Sequence, residues 1–404
     1  MPSRNLLVAQ GGGPTAVINN SLLGIIEEAS KKREISGIYG ALHGINGVLK
    51  EEIIDLKSQE EKILKGLRHT PGAALGSCRR KLTEKDYDRI LDVLKAHNIG
   101  FFLYIGGNDS METADKINKL AGDAGYSLSV IGVPKTVDND LAYTDHCPGY
   151  GSAARYTAIS TLELGIDNES LPTPITIIET MGRNTGWLVA STSLAKKRPD
   201  DAPHLIYFPE IKFSEEKFLS DVEAVYERLG RVVIAVSEGI KDESGEYLGA
   251  SRREVTRDGF GHKLPGGASA YLADLISAKL NLRCRFEKPG LLARASICHV
   301  SKVDREEAYR IGKAAVRQAL QEGGYMMTLE REEGEQYSCR IGTVELSKVA
   351  NVEKPLPHDF INSNGNHVTE KFIKYASPLI GGPLPEYVHL KKTLIKKNLP
   401  NAEH

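Results

Sequence analysis

Two carboxylates stand two residues apart in Pro134-Lys135-Thr136-Val137-Asp138-Asn139-Asp140, with a lysine three residues before the first of them. A carboxylate can take the proton of an attacking hydroxyl while a neighbouring acid tunes or orients it. A lysine beside them supplies counter-charge for phosphate, so the combination points to phosphoryl transfer onto a hydroxyl. Asp138 is the candidate base and Lys135 the candidate phosphate ligand, with Thr136 and Asp140 flanking them. An acidic turn is the plainer reading. Two acids and a lysine at the end of one apolar run argue against it.

Five further segments carry chemistry of the same kind. Gly106-Gly107-Asn108-Asp109-Ser110 joins a glycine pair, which lets backbone N–H groups approach an anion, to Asn108 and Asp109, whose oxygens can hold Mg²⁺. Asp109 or Ser110 could equally cap a helix. Gly11-Gly12-Gly13-Pro14-Thr15 follows one apolar run and precedes a helical pattern, where a helix N-terminus attracts anions. It also satisfies a loose dinucleotide pattern, but no well-placed acid follows about twenty residues on. Gly76-Ser77-Cys78-Arg79-Arg80 offers arginine, which binds phosphate bidentately, or simply a solvated basic turn. Met181-Gly182-Arg183 and Ser237-Glu238-Gly239 place an arginine and a carboxylate where a sugar phosphate and its hydroxyls could be held. Arg285 and Arg294 are further phosphate candidates that, taken alone, read as surface charges. No G-x-x-x-x-G-K-[ST] segment occurs, which disfavours a P-loop kinase.

These segments need elements to position them, and the sequence supplies them. Residues 5–9, 103–105, 129–133, 175–179 and 231–236 are apolar runs of strand length. Each ends at one of the candidate segments. Between them lie helical patterns, such as Val17, Ile18, Leu22, Ile25, Ile26 and Ala29. Alternation of this kind predicts a doubly wound α/β fold with ligands at the carboxyl ends of the strands. The turn Cys147-Pro148-Gly149-Tyr150-Gly151 marks a change of domain. Residues beyond about 330 are more charged and less periodic and read as a peripheral extension.

Bulk properties narrow the partners. With 404 residues the chain can bury two large cores, and 52 basic against 53 acidic residues leave a net charge of −1. No global field draws it to nucleic acid or to a membrane, so any phosphate-binding charge is local. No apolar run reaches membrane-spanning length and no signal peptide is visible. The five cysteines are scattered without a Cys-x-x-Cys pair, which argues against zinc or a disulfide framework and fits a cytoplasmic location.

Taken in this order, the motifs resemble the phosphofructokinase family over residues 6–313, most of all its bacterial pyrophosphate-dependent branch. The resemblance implies two doubly wound domains with the active site in the cleft between them. Residues 1–150, completed by part of 290–345, would bind pyrophosphate and Mg²⁺. Residues 151–290 would bind fructose 6-phosphate, and 330–404 would form the C-terminal extension. It further implies that Gly12 and Gly13 form the donor-phosphate loop and that Arg79 bridges the transferred phosphate. Asp138 would accept the proton. Met181, Gly182, Arg183, Glu238 and Arg294 would hold the sugar phosphate. Arg285 would reach across a subunit interface of a homodimer or homotetramer.

The same resemblance bears on the donor. ATP-using relatives have glycine where Asp109 and Lys135 stand. A carboxylate at Asp109 fills and repels the place of a nucleotide α-phosphate, while Lys135 adds charge for compact pyrophosphate. Like-charge contact in a desolvated pocket discriminates on the order of a thousand-fold. The chain departs from its relatives at Asn108, where many carry a metal-binding aspartate, and at Pro174, where an ATP-using branch has arginine. It departs also at Leu291-Leu292-Ala293 and at residues 261–267. Three alternatives stay open: a pyrophosphate-dependent kinase of another sugar phosphate such as sedoheptulose 7-phosphate, an ATP-dependent kinase, and a non-catalytic regulatory subunit.

Overall fold

In the computed structural model, residues 3–172, 175–249, 267–350, 352–391, 393–396 and 398 are described. Pro174 and residues 261–266, where the sequence departs from its relatives, lie outside them. Eleven strands carry the architecture: β1 (Arg4–Gln10), β2 (Ile35–Ala41), β3 (Ile53–Asp55), β4 (Ile99–Gly106), β5 (Ser129–Pro134), β6 (Ile175–Thr180), β7 (Leu205–Tyr207), β8 (Val232–Ser237), β9 (Cys284–Glu287), β10 (Tyr325–Arg331) and β11 (Cys339–Glu345). They form a seven-stranded sheet, β11-β10-β5-β4-β1-β2-β3, and a four-stranded sheet, β7-β8-β6-β9.

Pairing is parallel in the middle of the large sheet, where β1 lies between β2 and β4 and β5 follows β4. Only its outermost pairs, β2 with β3 and β10 with β11, are antiparallel. Both faces of such a sheet must be covered, which is why its strands read as continuous apolar runs. Along β1, Leu6 and Val8 enter one core with helices Ile18–Ala29 and Lys302–Gln321. Leu7 and Ala9 enter the other, with helices Glu84–Ala96 and Asn108–Asp123. The small sheet is wound in the same way. Ile178 and Ala235 pack toward helix Tyr150–Ser170, and Ile177 and Ile234 toward helices Glu215–Leu229 and Ala268–Leu280. Strand order reverses between β1 and β4 in the large sheet, which opens the crevice in which doubly wound folds bind ligands.

The two sheets meet at the turn before helix Tyr150–Ser170. Asp304 accepts from the backbone N–H of Gly149 at 2.8 Å and of Ser152 at 2.9 Å, so a buried carboxylate caps that helix. Ser301 in turn caps the helix that carries Asp304. Gly149 bridges Thr136, and the Thr136 N–H donates to the Pro148 carbonyl at 3.2 Å, so this cap also fixes the loop after β5.

The expectation of a peripheral region beyond residue 330 does not hold. β11 is an edge strand of the large sheet, and Leu356, Ile361, Phe372, Leu379 and Ile380 are buried against Tyr150 and Trp187. Their apolar contacts are to elements some 200 residues earlier in sequence, which local periodicity does not register.

Candidate active site

A cavity of about 760 Å³ opens between the strand ends of the two sheets. Of the residues singled out from sequence, Gly12, Gly13, Arg79, Asn108, Asp109, Lys135, Thr136, Asp138, Asp140, Met181, Arg183 and Glu238 line it.

Its cationic side is built on the ends of β1 and β5. Gly12 has φ +72°, and a Cβ there would lie 3.1 Å from Lys135 Nζ. A Cβ on Gly13 would lie 2.5 Å from the Arg294 guanidinium and 3.6 Å from that of Arg79. Gly12 suits a positive φ, and both glycines leave the ends of three cationic side chains close to the backbone loop. Burial pushes Lys135 down to about 8, with Asp140 and Asp138 opposing and Arg294 and Arg79 assisting. Burial likewise lowers Arg294, and Arg79 adds to it by repulsion. An anion seated on this loop relieves that repulsion.

The acidic side is the loop after β5. Asn139 sits at φ 56°, fully buried. Its carbonyl oxygen accepts from the Cys147 N–H at 2.9 Å, and its amide donates to the Tyr375 hydroxyl at 2.9 Å. The Asp138 N–H donates to Thr136 Oγ1 at 3.0 Å, and Thr185 Oγ1 donates to the Asp138 carbonyl at 3.0 Å. With its backbone held on both sides, Asp138 presents its carboxylate to the cavity. Burial raises Asp138 to about 7, with the charges of Asp140 and Glu238 adding to the rise. Burial raises Asp140 too, against a hydrogen bond from Thr136.

Three side-chain oxygens in this region, Asn108 Oδ1, Asp138 Oδ1 and Asp140 Oδ1, are buried without a hydrogen-bond partner. Such atoms are costly unless a ligand completes them. Asn108 donates to Asp140 Oδ2 at 2.9 Å, which leaves the other oxygen of each residue available. Hard oxygens beside a phosphate seat suit Mg²⁺, which takes one or two protein oxygens and completes its shell with phosphate and water. No group of three or more His, Cys, Asp or Glu placed to hold a metal occurs among the described residues. The donor set therefore fits a cation shared with a bound phosphate. Asp109 lines the cavity in the first turn of helix Asn108–Asp123.

The opposite wall comes from the small sheet. Met181 and Arg183 follow β6, with the Gly182 carbonyl between them accepting from Ser237 Oγ at 2.6 Å. The Glu238 N–H donates to the Thr180 carbonyl at 3.0 Å, which ties the exits of β6 and β8 together. Burial raises Glu238, and Lys288 opposes the rise.

Two of the arginines lie outside the cavity lining, which for Arg285 is in keeping with the expectation of a place at a subunit interface. Arg294, expected at the sugar phosphate, lies against Gly13 on the side of the glycine loop. Arg285 is exposed on the edge strand β9 and is absent from the cavity lining of this chain. Its position on an open sheet edge, paired only through Thr176, carries it away from the strand ends.

The sequence reading missed Asn184, Thr185, Lys241, Gly245, Glu246, Tyr247 and Glu353, which also line the cavity. Asn184 and Thr185 continue the Met-Gly-Arg turn and were findable there. The turn around Asp242 and Gly245 carries an ordinary turn signal. Glu353 carries none. Asn184 Nδ2 donates to it at 2.8 Å, and the neighbouring Lys354 N–H donates to the Asp140 carbonyl at 2.7 Å.

Comparison with known proteins agrees with this geometry. A family profile described as Phosphofructokinase matches residues 5–319. The chain is 43% identical to the pyrophosphate–fructose 6-phosphate 1-phosphotransferase of Xanthomonas campestris, with 100% of both chains covered. It is 42% identical to the protein of the same name from Rhodospirillum rubrum, covering 98% of each. The crystal structure of a pyrophosphate-dependent phosphofructokinase from Marinobacter aquaeolei superimposes with a TM-score of 0.85 at 40% identity, covering 98% of each chain.

Proposed function

The chain belongs to the phosphofructokinase family, and we propose that it moves a phosphoryl group from pyrophosphate to the 1-hydroxyl of fructose 6-phosphate. The products are fructose 1,6-bisphosphate and orthophosphate. The reading rests on the names of relatives at about this similarity and on one observation above all. Asp138 carries a buried, unpartnered oxygen at the cavity wall opposite the cationic glycine loop.

In the proposed reaction Asp138 takes the proton of the sugar 1-hydroxyl. That oxygen attacks the near phosphorus in line, and the bridging P–O bond breaks to release orthophosphate. Charge on the transferring group is spread over Lys135, Arg79 and Arg294. Gly12 and Gly13 let the backbone approach the donor. Arg183 binds the 6-phosphate, Glu238 accepts from sugar hydroxyls, and Met181 packs against the sugar. Asn108, Asp140 and Asp109 would hold Mg²⁺, which would neutralise phosphate charge when bound. Donor and product differ little in phosphoryl potential, so the reaction runs in both directions, in glycolysis or gluconeogenesis.

Asp109 and Lys135 support pyrophosphate over ATP, since both line the cavity, where a carboxylate repels a nucleotide α-phosphate and an ammonium adds charge for compact pyrophosphate. A homodimer or homotetramer is supported by Phe286, Leu291 and Leu292, exposed by 46%, 64% and 64% around Arg285. No helix among the described residues is long and apolar enough to cross a membrane. The test is turnover in both directions by purified protein: bisphosphate from fructose 6-phosphate and pyrophosphate, and pyrophosphate from the bisphosphate and orthophosphate. Failure in both with Mg²⁺ present would overturn the proposal.

A further inference from the structure

We propose that Lys288 is a positioning residue of the acceptor half of the site: its ammonium bridges the buried Glu179 and the cavity carboxylate Glu238, and holds Glu238 as an ionised acceptor for sugar hydroxyls. The inference deepens the function proposed above and rests on it.

Lys288 lies in the short link between β9 and the helix Leu291–Ala295 that carries Arg294. It does not line the cavity. Its side chain is 42% exposed, and its Nζ pairs with Glu179 Oε1 and stands 3.8 Å from Glu238 Oε2. Glu179 is the penultimate residue of β6, with its side chain at 0% exposure. Its other oxygen accepts from the Ser269 N–H at 2.9 Å and from Ser269 Oγ at 2.6 Å. One carboxylate is therefore locked by the start of helix Ala268–Leu280, and the lysine is anchored on it. The anchored ammonium stands at ion-pair distance from Glu238, where its charge rather than a hydrogen bond acts on the carboxylate.

Glu238 needs that cation. The groups that face it are Glu179, Asp138, Arg183, Tyr247 and Lys288. Burial and the Glu179 charge favour its protonated form, and Lys288 is the largest of the charges that oppose them. Arg183 also opposes, but in the proposed reaction its charge is engaged by the substrate phosphate. Lys288 is outside the cavity and stays committed to the carboxylates. An ionised carboxylate accepts at both oxygens, and such charge-assisted bonds are roughly twice as strong as neutral ones. Loss of the lysine would thus weaken sugar binding without touching the phosphoryl-transfer residues.

The experiment measures kcat and KM for fructose 6-phosphate from pH 5.5 to 8.5 in wild type, K288M, K288Q and K288R. K288Q is neutral but keeps amide donors for the buried Glu179 carboxylate, so it tests the idea even if K288M folds poorly. For K288M and K288Q, KM should rise about tenfold at pH 7 with kcat changed by less than about threefold. The acid limb of KM should move to higher pH, because Glu238 then takes up its proton earlier. K288R should restore most of the wild-type KM. An unchanged KM and pH limb in well-folded K288Q overturns the inference, and so does an equal loss in kcat. Wild-type protein inactive on fructose 6-phosphate would instead remove the functional reading beneath it.

Discussion

Replacing Asp138 by asparagine should abolish most turnover while leaving the site assembled. The two hydrogen bonds that hold this residue run through its backbone, to Thr136 Oγ1 and from Thr185 Oγ1, and survive the change. Asp138 Oδ1 has no partner in the protein, so the amide forfeits no intramolecular bond there. What is lost is the base. General-base catalysis contributes roughly 10²–10⁴-fold. A carboxyl raised to about 7 by burial and by Asp140 and Glu238 is poised near neutral pH, which favours the upper half of that range. A thousand-fold loss in kcat corresponds to about 4 kcal/mol of barrier. Direct binding of fructose 6-phosphate, followed by calorimetry, should change by less than about fivefold, because the residues proposed to hold the sugar phosphate are untouched. Thermal stability should not fall, since the substitution removes one of two repelling buried acids. A loss in kcat below tenfold would refute the assignment of Asp138 as base. A regulatory subunit would show sugar-phosphate binding and no turnover to lose.

Two further outcomes follow from the charges of the site and its surroundings. For the free enzyme, kcat/KM should rise with pH through about 7, as Asp138 loses its proton, and fall through about 8, as Lys135 loses its own. In K135R the alkaline limb should vanish, because guanidinium does not titrate there, and a persistent limb would show that another group governs it. Away from the cavity, His146 is buried between Asp145 at 2.8 Å and Glu307 at 2.7 Å. Burial disfavours its charge, yet these partners raise it to about 9. A pKa raised above the unfolded value gives stability that is full below about 6.5 and lost as pH climbs through about 9, on the order of 3 kcal/mol in all. Melting temperature measured from pH 6 to 9.5 should therefore decline more in wild type than in H146Q, and parallel curves would contradict the argument.

Much of this was legible in the chain because doubly wound folds put ligand-binding residues just past short apolar runs. The runs ending at Ala9, Ile105, Val133, Glu179 and Val236 are β1, β4, β5, β6 and β8, and the turns after them line the cavity. Residues that reach the site through tertiary packing left no such trace. Glu353 arrives from a segment beyond β11 whose order depends on Trp187 Nε1 donating to the Lys354 carbonyl at 3.0 Å. Tyr375 buttresses Asn139 from 236 residues away. The pairing of Lys288 with Glu179 and Glu238 likewise joins the ends of three strands that are adjacent only in the folded sheet.

The ratio of kcat/KM for pyrophosphate to that for ATP, at saturating fructose 6-phosphate and Mg²⁺, tests most directly whether Asp109 and Lys135 set the phosphoryl donor. A carboxylate placed against a nucleotide α-phosphate should put that ratio on the order of a thousand or more in favour of pyrophosphate. Comparable or better turnover with ATP would contradict it.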